Sequence, residues 1–531
     1  MESEIENFKE EKVEDPEVLL KEKYENLLFS TNLEGNFQKI HFIIAFLVTF
    51  SCFLTIYILP LLKLTPKYQC INKLDFLNNN EYQIFQTAND QYQIIVNEKC
   101  IEDYCKSVTE NYESSELLVL IIDKYSEVNW ITEYNTACSV LPFFNMVNLS
   151  SFVGKIIIPT ILAYYADKIG RIKVLNFNIW LLLISFLVLQ FSKSTLLTII
   201  TSFFAMGSYY ACFFFNIYAT ECMSNEITKI YVSMFQVSLS LGGILYILIM
   251  YIFHNWRVLI IISNLINIFL LVFSYRYLTE SPQYLLAFKK YEELEKVTKY
   301  VANFNERDAE FQKASEELQK VKDSVSLKKI KTSENDIEVS HADQASSNFF
   351  LKDILISYAS LFQTKQNSIM IFKFTVIYIA IDYLFYGIMM NVQNMKGSIY
   401  INLSLIYFGR LISGLAGGVT LRFFSAKFII IIMFTFCLIC CVLLIYITTL
   451  VWLRIALLFT VTLSFWMANL VTYTLANDSF EISIKATVFS FLFNFASLAD
   501  TILAPIVQQF SDPFIFFAIT SAITVIVALN L

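Results

Sequence analysis

Apolar residues in this chain come in long blocks, each close to the ~20 residues an α-helix needs to cross the hydrocarbon of a bilayer. They run at about 40–62, 139–165, 174–192, 195–219, 230–252, 256–277, 368–391, 398–421, 427–449, 451–474, 484–508 and 512–531, and they predict twelve transmembrane helices, here spans one to twelve. Six precede a charged stretch and six follow it. The pattern predicts an all-α membrane protein: an acidic cytoplasmic segment (1–39), an N-terminal six-helix bundle (40–277) with an outer loop at 64–138, a cytoplasmic central loop (278–367) and a C-terminal six-helix bundle (368–531). In the central loop, Leu285, Leu286, Tyr291, Leu294, Val297 and Val301 recur at helical spacing and predict short helices. From Ser324 to Ser347, polarity without a period predicts disorder. Asn348 then stands where it would cap an apolar-faced segment, 349–362, leading into span seven.

Composition sharpens this picture. Of 531 residues 56% are hydrophobic and 16% are charged, against ~25% charged in soluble domains. Only 25 of the 85 charged residues lie outside 1–38, 64–138 and 278–366. A net charge of −7 with no cluster of Lys and Arg excludes nucleic acid as a partner. The opening run from Met1 to Glu6 is acidic, unlike a cleaved leader, so the N-terminus is expected to stay in the cytoplasm. In that orientation the short inner connections carry Lys168, Arg171, Lys173, Lys229, Arg422, Lys427 and Lys485, against Lys193, Arg257 and Lys396 outside, as the positive-inside rule requires. The outer loop then lies on the oxidising side. Its Cys70, Cys100, Cys105 and Cys138 predict two disulfides with three connectivities open, Cys100–Cys105 with Cys70–Cys138 ranked first. Cys52, Cys212, Cys222, Cys437, Cys440 and Cys441 read as small buried apolar residues.

Between spans two and three stands Ala163-Tyr164-Tyr165-Ala166-Asp167-Lys168-Ile169-Gly170-Arg171-Ile172-Lys173. Asp167 at a helix end can pair with Arg171 or with a cation across a bundle interface, and Gly170 permits a tight turn. The string resembles the signature loop of the major facilitator superfamily, G-x-x-x-D-[RK]-x-G-R-[RK], with Ala163 for the first Gly. The resemblance narrows to the organic ion transporters of that superfamily. It is carried by Glu34-Gly35-Asn36-Phe37-Gln38 before span one, by Trp130 to Cys138 before span two, and by Glu280-Ser281-Pro282-Gln283-Tyr284-Leu285-Leu286 after span six. Tyr386-Gly387-Ile388-Met389-Met390-Asn391-Val392 and Gly397-Ser398-Ile399-Tyr400-Ile401-Asn402 continue it around spans seven and eight. Gln283 replaces the usual Arg, and the second signature loop, near Arg422 to Lys427, lacks Asp and Gly. The resemblance implies a major facilitator fold in the plasma membrane that moves a small organic solute by alternating access. It also implies an inner gate built on Asp167, Gly170, Arg171, Glu221 and Glu280.

An ionisable side chain inside a span costs roughly 3 kcal/mol or more unless it is paired or meets water. Lys155, Asp382, Arg410 and Asp500 are such residues. Tyr378 and Tyr386 lie one turn either side of Asp382, so the three share a face, which the resemblance places on the central cavity. Gln236 and Asn494 are polar at the same depth, and serve as interhelical contacts or cavity lining. The expected substrate site is therefore Tyr378, Asp382, Tyr386, Arg410, Lys155, Gln236 and Asn494. Two roles stay open for the charges, mutual pairing or solute contact. No metal ligand set, phosphate loop or nucleophile–base pair is present in the sequence, so neither an enzyme nor a cofactor is expected. The partners implied are a small organic solute, the lipid bilayer and a coupling ion or proton. The rival readings are a sugar porter, with a short first outer loop and an uncharged cavity, and a non-transporting sensor on the same scaffold.

Overall fold

Every predicted span is a helix in the computed structural model, which describes residues 16–31, 34–56, 68–72, 116–120, 130–134, 140–211, 213–332, 350–392, 398–447, 450–508 and 513–531. Span one is Asn36–Ile56, two Val140–Ile169, three Arg171–Phe191, five Asn225–Phe253 and six Trp256–Tyr277. Span four is two helices, Thr195–Ala211 and Phe213–Glu221. Spans seven to twelve are Lys365–Asn391, Ile399–Phe423, Ala426–Tyr446, Val451–Ser479, Ile482–Gln508 and Phe514–Leu529. Nine of the described helices are long and apolar enough to cross a membrane, and three shorter apolar ones stand at spans one, eleven and twelve. Local chemistry sets several boundaries: Ser224, Asn255 and Thr364 accept main-chain N–H groups at the starts of spans five, six and seven. Large apolar side chains such as Trp452, Phe191 and Phe423 point outward and exposed, as a lipid-facing surface requires.

The packing repeats itself. Span one lies against five and six, two against four, and three against four and six. Adding six gives the second half: seven lies against eleven and twelve, eight against ten, and nine against ten and twelve. The halves meet where two packs on eleven and five on eight, and these contacts also exchange under the same shift. Such duplicated halves around a shared interface are the framework of alternating access. Close approach depends on small residues: a Cβ on Gly154 would run into the Phe203 main chain of span four.

Outside the spans, helices Pro282–Ala287, Tyr291–Phe304 and Asp308–Thr332 follow span six. A helix that the sequence pattern did not reveal, Pro16–Phe29, docks on them. Its Tyr24 and Leu27 join Tyr284, Leu285, Leu294 and Phe311 in a separate apolar cluster. The Tyr24 ring stacks on Tyr291 at 4.3 Å and its hydroxyl donates to Glu295 at 2.7 Å. The disorder expected from Ser324 is corrected for 324–332, which continue the helix. No Gly or Pro interrupts Asp308–Thr332, and Phe311 and Leu318 anchor its first turns in that cluster. Residues 333–347 and Asn348 lie outside the described residues, and the segment leading to span seven is a helix at Phe350–Ser360. The outer loop contributes an antiparallel ribbon, Tyr68–Asn72 with Glu116–Leu120, in which Cys70 faces Leu118. Only the backbone of Cys70 is described, and Cys100, Cys105 and Cys138 lie outside the described residues, as does the side chain of Asp500.

Candidate functional site

Two groups of charged residues lie along the interface of the halves. The first is at the end of spans two, three and eleven. Gly170 alone makes the turn between spans two and three, at φ 117° and ψ 155°, a conformation open essentially to glycine. The turn leaves Arg171 as the first residue of span three, 2% exposed. Its guanidinium is ion-paired with Asp167 and, at 3.2 Å, with Glu221, whose side chain is fully buried. It also donates to the main-chain carbonyl of Ile482 in span eleven at 3.3 Å. Asp167 in turn accepts from the Thr487 hydroxyl at 2.9 Å. The cluster thus ties the N-terminal half to the C-terminal half.

Glu280 completes this cluster from the far side. Its carboxylate accepts the main-chain N–H groups of Arg171 at 2.9 Å and Ile172 at 3.3 Å, capping the positive end of span three. It also accepts from the N–H of Ser281 at 3.1 Å. Burial nevertheless pushes its carboxyl above the ordinary carboxylate range, a pull that these bonds oppose. A Cβ at Gly170 would strike this carboxylate. Tyr284 donates to the main-chain carbonyl of Asp167 at 3.1 Å, and its ring lies 5.1 Å from the Arg171 guanidinium. Tyr284 belongs to the cluster that holds the N-terminal helix, so that helix and the gate share a residue.

The second group surrounds a cavity deep between the halves, with walls from spans four, five, seven, eight, ten and eleven. Its polar members are Gln236, Tyr378, Asp382, Arg410, Asn469 and Tyr473, and aromatic rings such as Phe213, Trp466 and Phe493 enclose them. Its volume is about 30 Å³, room for water and for nothing of organic size. Arg410 donates through Nε to Gln236 at 2.7 Å, and its guanidinium lies 3.7 Å from the centre of the Trp466 ring. Lys155 donates to the Tyr386 hydroxyl at 2.8 Å and sits 4.3 Å from that ring. Asp382 is half-buried. Among the described residues no ion pair or hydrogen bond joins it to Lys155 or Arg410. The hydroxyls of Tyr378 and Tyr473 and Nε1 of Trp466 are buried with no hydrogen-bond partner.

Of the residues expected at the substrate site, Tyr378, Asp382, Gln236 and Arg410 line this one space. Tyr386 is instead turned to Lys155, one contact behind the wall. Asn494 donates to Thr160 of span two at 2.7 Å, and so serves the interface of spans two and eleven. Trp466, Tyr473 and Asn469 were missed, as were Thr487 and the Ile482 carbonyl at the gate. Span ten is apolar almost all round, so its periodicity does not mark a face. A backbone carbonyl leaves no trace in sequence at all.

Comparison with known proteins bears on the whole architecture. The sequence model of the Major Facilitator Superfamily matches residues 41–505. No curated protein matches the chain in sequence. Among solved structures, the human organic anion transporter MFSD10 (TETRAN) is similar with a TM-score of 0.56 and 11% identity, over 92% of this chain and 99% of that one. The proton:xylose symporter XylE bound to 6-bromo-6-deoxy-D-glucose is similar with a TM-score of 0.57 and 14% identity, over 95% of each chain. At such identities the likeness is one of fold. The duplicated helix packing, the Asp167–Gly170–Arg171 turn and the family match agree: this chain is a multi-pass integral membrane protein that belongs to the major facilitator superfamily.

Proposed function

We propose that the protein carries a small organic ion or zwitterion across the plasma membrane by alternating access, with its N-terminus in the cytoplasm and the solute's anionic group held between Arg410 and Lys155. One observation carries this reading. Asp382 and Arg410 line one buried cavity, Lys155 stands behind its wall on Tyr386, and no ion pair joins Asp382 to either cation among the described residues. The described charges at this depth, two cations and one acid, leave a positive balance that favours an anionic solute. The unpartnered Tyr378, Tyr473 and Trp466 groups offer hydrogen-bond donors beside it. We read the small cavity and the bonded cluster at Asp167 and Arg171 as a state closed at the inner end, from which the halves separate to admit solute. Asp382, the one acid among the described lining residues, is the group we assign to a coupling proton.

Uptake by the purified chain in proteoliposomes tests this. Radiolabelled carboxylates and amino-acid-like zwitterions should enter, organic cations and neutral sugars should not, and Arg410→Gln should cut entry by roughly 10²-fold. An Asp382→Asn/Arg410→Gln double variant should fold yet stay inactive. Recovery of uptake in that double variant would show the two charges to be a structural pair. Sugar uptake indifferent to both changes would favour a sugar porter, and absence of uptake of any solute would favour a sensor.

A further inference from the structure

A groove on the membrane-facing surface lies between the first turns of span seven and the end of span twelve. Its volume is about 450 Å³ and its apolar wall is Ile369, Phe372, Ile526 and Val527. Phe372 and Ile526 are 66% and 62% exposed, as expected of side chains that meet acyl chains. The polar members are Lys365, Lys373, Ser368 and Asn530, and none of the lining residues is acidic. Lys373 donates to the main-chain carbonyl of Asn530, which fixes its ammonium group at the last turn of span twelve. Lys365 is exposed and stands eight residues earlier, two helical turns or about 12 Å along the axis. Because Lys373 reaches back to the end of span twelve and Lys365 begins span seven, both charges belong to the end of the groove where these helices terminate, and Phe372 and Ile526 lie deeper.

That combination is complementary to an amphiphile with an anionic head. The groove sits at the end of the molecule that bears the central loop, and the basic residues of the short connections at that end place it in the inner leaflet, where acidic lipids concentrate. Two lysines merely snorkelling to the interface would need no shaped apolar wall between two spans. We propose that this groove binds one anionic phospholipid, its phosphate between Lys365 and Lys373 and an acyl chain against Phe372 and Ile526. The lipid would bridge span seven, which carries Tyr378 and Asp382, to span twelve. The inference does not rest on the solute reading.

Native mass spectrometry tests it on the full chain released from phosphatidylcholine nanodiscs that contain a minor share of phosphatidylglycerol. The wild type should retain one phosphatidylglycerol. At about 1 kcal/mol for each lysine near an acidic surface, Lys365→Gln should weaken retention about five-fold, and adding Lys373→Gln about 25-fold. Ile526→Trp fills the groove while keeping both charges, and should also lose the lipid; it serves if the double variant does not fold. Equal retention of phosphatidylcholine, or unchanged phosphatidylglycerol in the double or the Trp variant, overturns the proposal. Stoichiometric displacement by oleate overturns it too, by making a fatty acid the occupant.

Discussion

The two charged regions of this molecule differ in how their charges are partnered. Around Gly170, at the proposed gate, Arg171 meets Asp167, Glu221 and a carbonyl and Glu280 meets three N–H groups, with Arg171 Nε and Glu221 Oε2 left unbonded. In the cavity, Asp382 contacts neither cation, and two tyrosines and a tryptophan lack partners. Charges satisfied within the protein hold its parts together in one state. Buried donors without a bond are complementary to an acceptor the chain does not contain. Burial alone does not separate these cases, because Arg171 and Arg410 are equally buried; the difference lies in what surrounds them.

Removing the Arg171 side chain should have the largest effect on folding. Arg171→Ala leaves buried Glu221 and part-buried Asp167 without the cation that pairs with both, and breaking such a buried pair costs about 3–5 kcal/mol. We expect a sharply lower melting temperature in detergent and loss of transport together. Arg171→Lys keeps the charge but cannot reach Asp167, Glu221 and Ile482 at once, so partial recovery is expected. If Arg171→Ala melted like the wild type, the gate would not be a stabilising cluster and the contrast with the cavity would fail.

Gly170→Ala probes the same cluster through its backbone. The new Cβ meets the Glu280 carboxylate, and the φ of 117° is foreign to an L-residue. A cost of about 1–3 kcal/mol is expected, smaller than for Arg171→Ala because no charge is orphaned. Solute affinity should be unchanged while the cycling rate shifts, since the latch sets the populations of the two states and not the cavity. A collapse in affinity at unchanged rate would instead place this turn in the binding site.

Arg410→Gln should reverse the balance between stability and function. The variant loses the cation–π contact with Trp466, about 0.5–2 kcal/mol, but also removes the desolvation cost of a buried charge. Net stability should therefore stay within about 1 kcal/mol of the wild type. Uptake of an anionic solute should fall by roughly 10²-fold, since a desolvated charge contact is worth about 2–5 kcal/mol. Destabilisation as large as that of Arg171→Ala, with transport kept, would make both regions structural.

These regions differed in legibility as well. The gate could be read because its residues are local: Asp167, Gly170 and Arg171 fall within one turn, and a helix end flanked by charges is visible in any apolar sequence. Its tertiary half was not, since Thr487 and the Ile482 carbonyl approach from more than three hundred residues away. In the cavity, Asp382 and Arg410 stood out against apolar spans, whereas Trp466 and Tyr473 were hidden by the aromatic richness of the whole chain, 50 Phe and 30 Tyr. The twelve spans followed directly from hydropathy. The N-terminal helix Pro16–Phe29 did not, because its charged residues leave no clear apolar stripe and tertiary contact at Tyr24 and Leu27 decides it.

The finest test asks whether even the gate is fully compensated. Burial holds the Glu280 carboxyl above the ordinary carboxylate range, so its three accepted N–H bonds do not fully replace water. The sign of the consequence follows from proton counting. Between the ordinary carboxylate value and the raised one, the folded protein holds more protons at this site than the unfolded chain does, so stability falls as pH rises through that window. The contribution is complete below the ordinary value, and above the raised one it is lost. Glu280→Gln removes this titration while keeping an acceptor oxygen for the N–H groups of span three. The stability of the wild type relative to Glu280→Gln should therefore decline as pH is raised across the window, with a slope no steeper than about 1.4 kcal/mol per pH unit, and be level on either side. Paired melting curves of the two proteins, taken from acid to neutral pH, isolate this residue from every other carboxyl they share. A difference that grew with pH would mean that the helix end and Arg171 favour the anion more than burial penalises it, making the gate still more unlike the cavity.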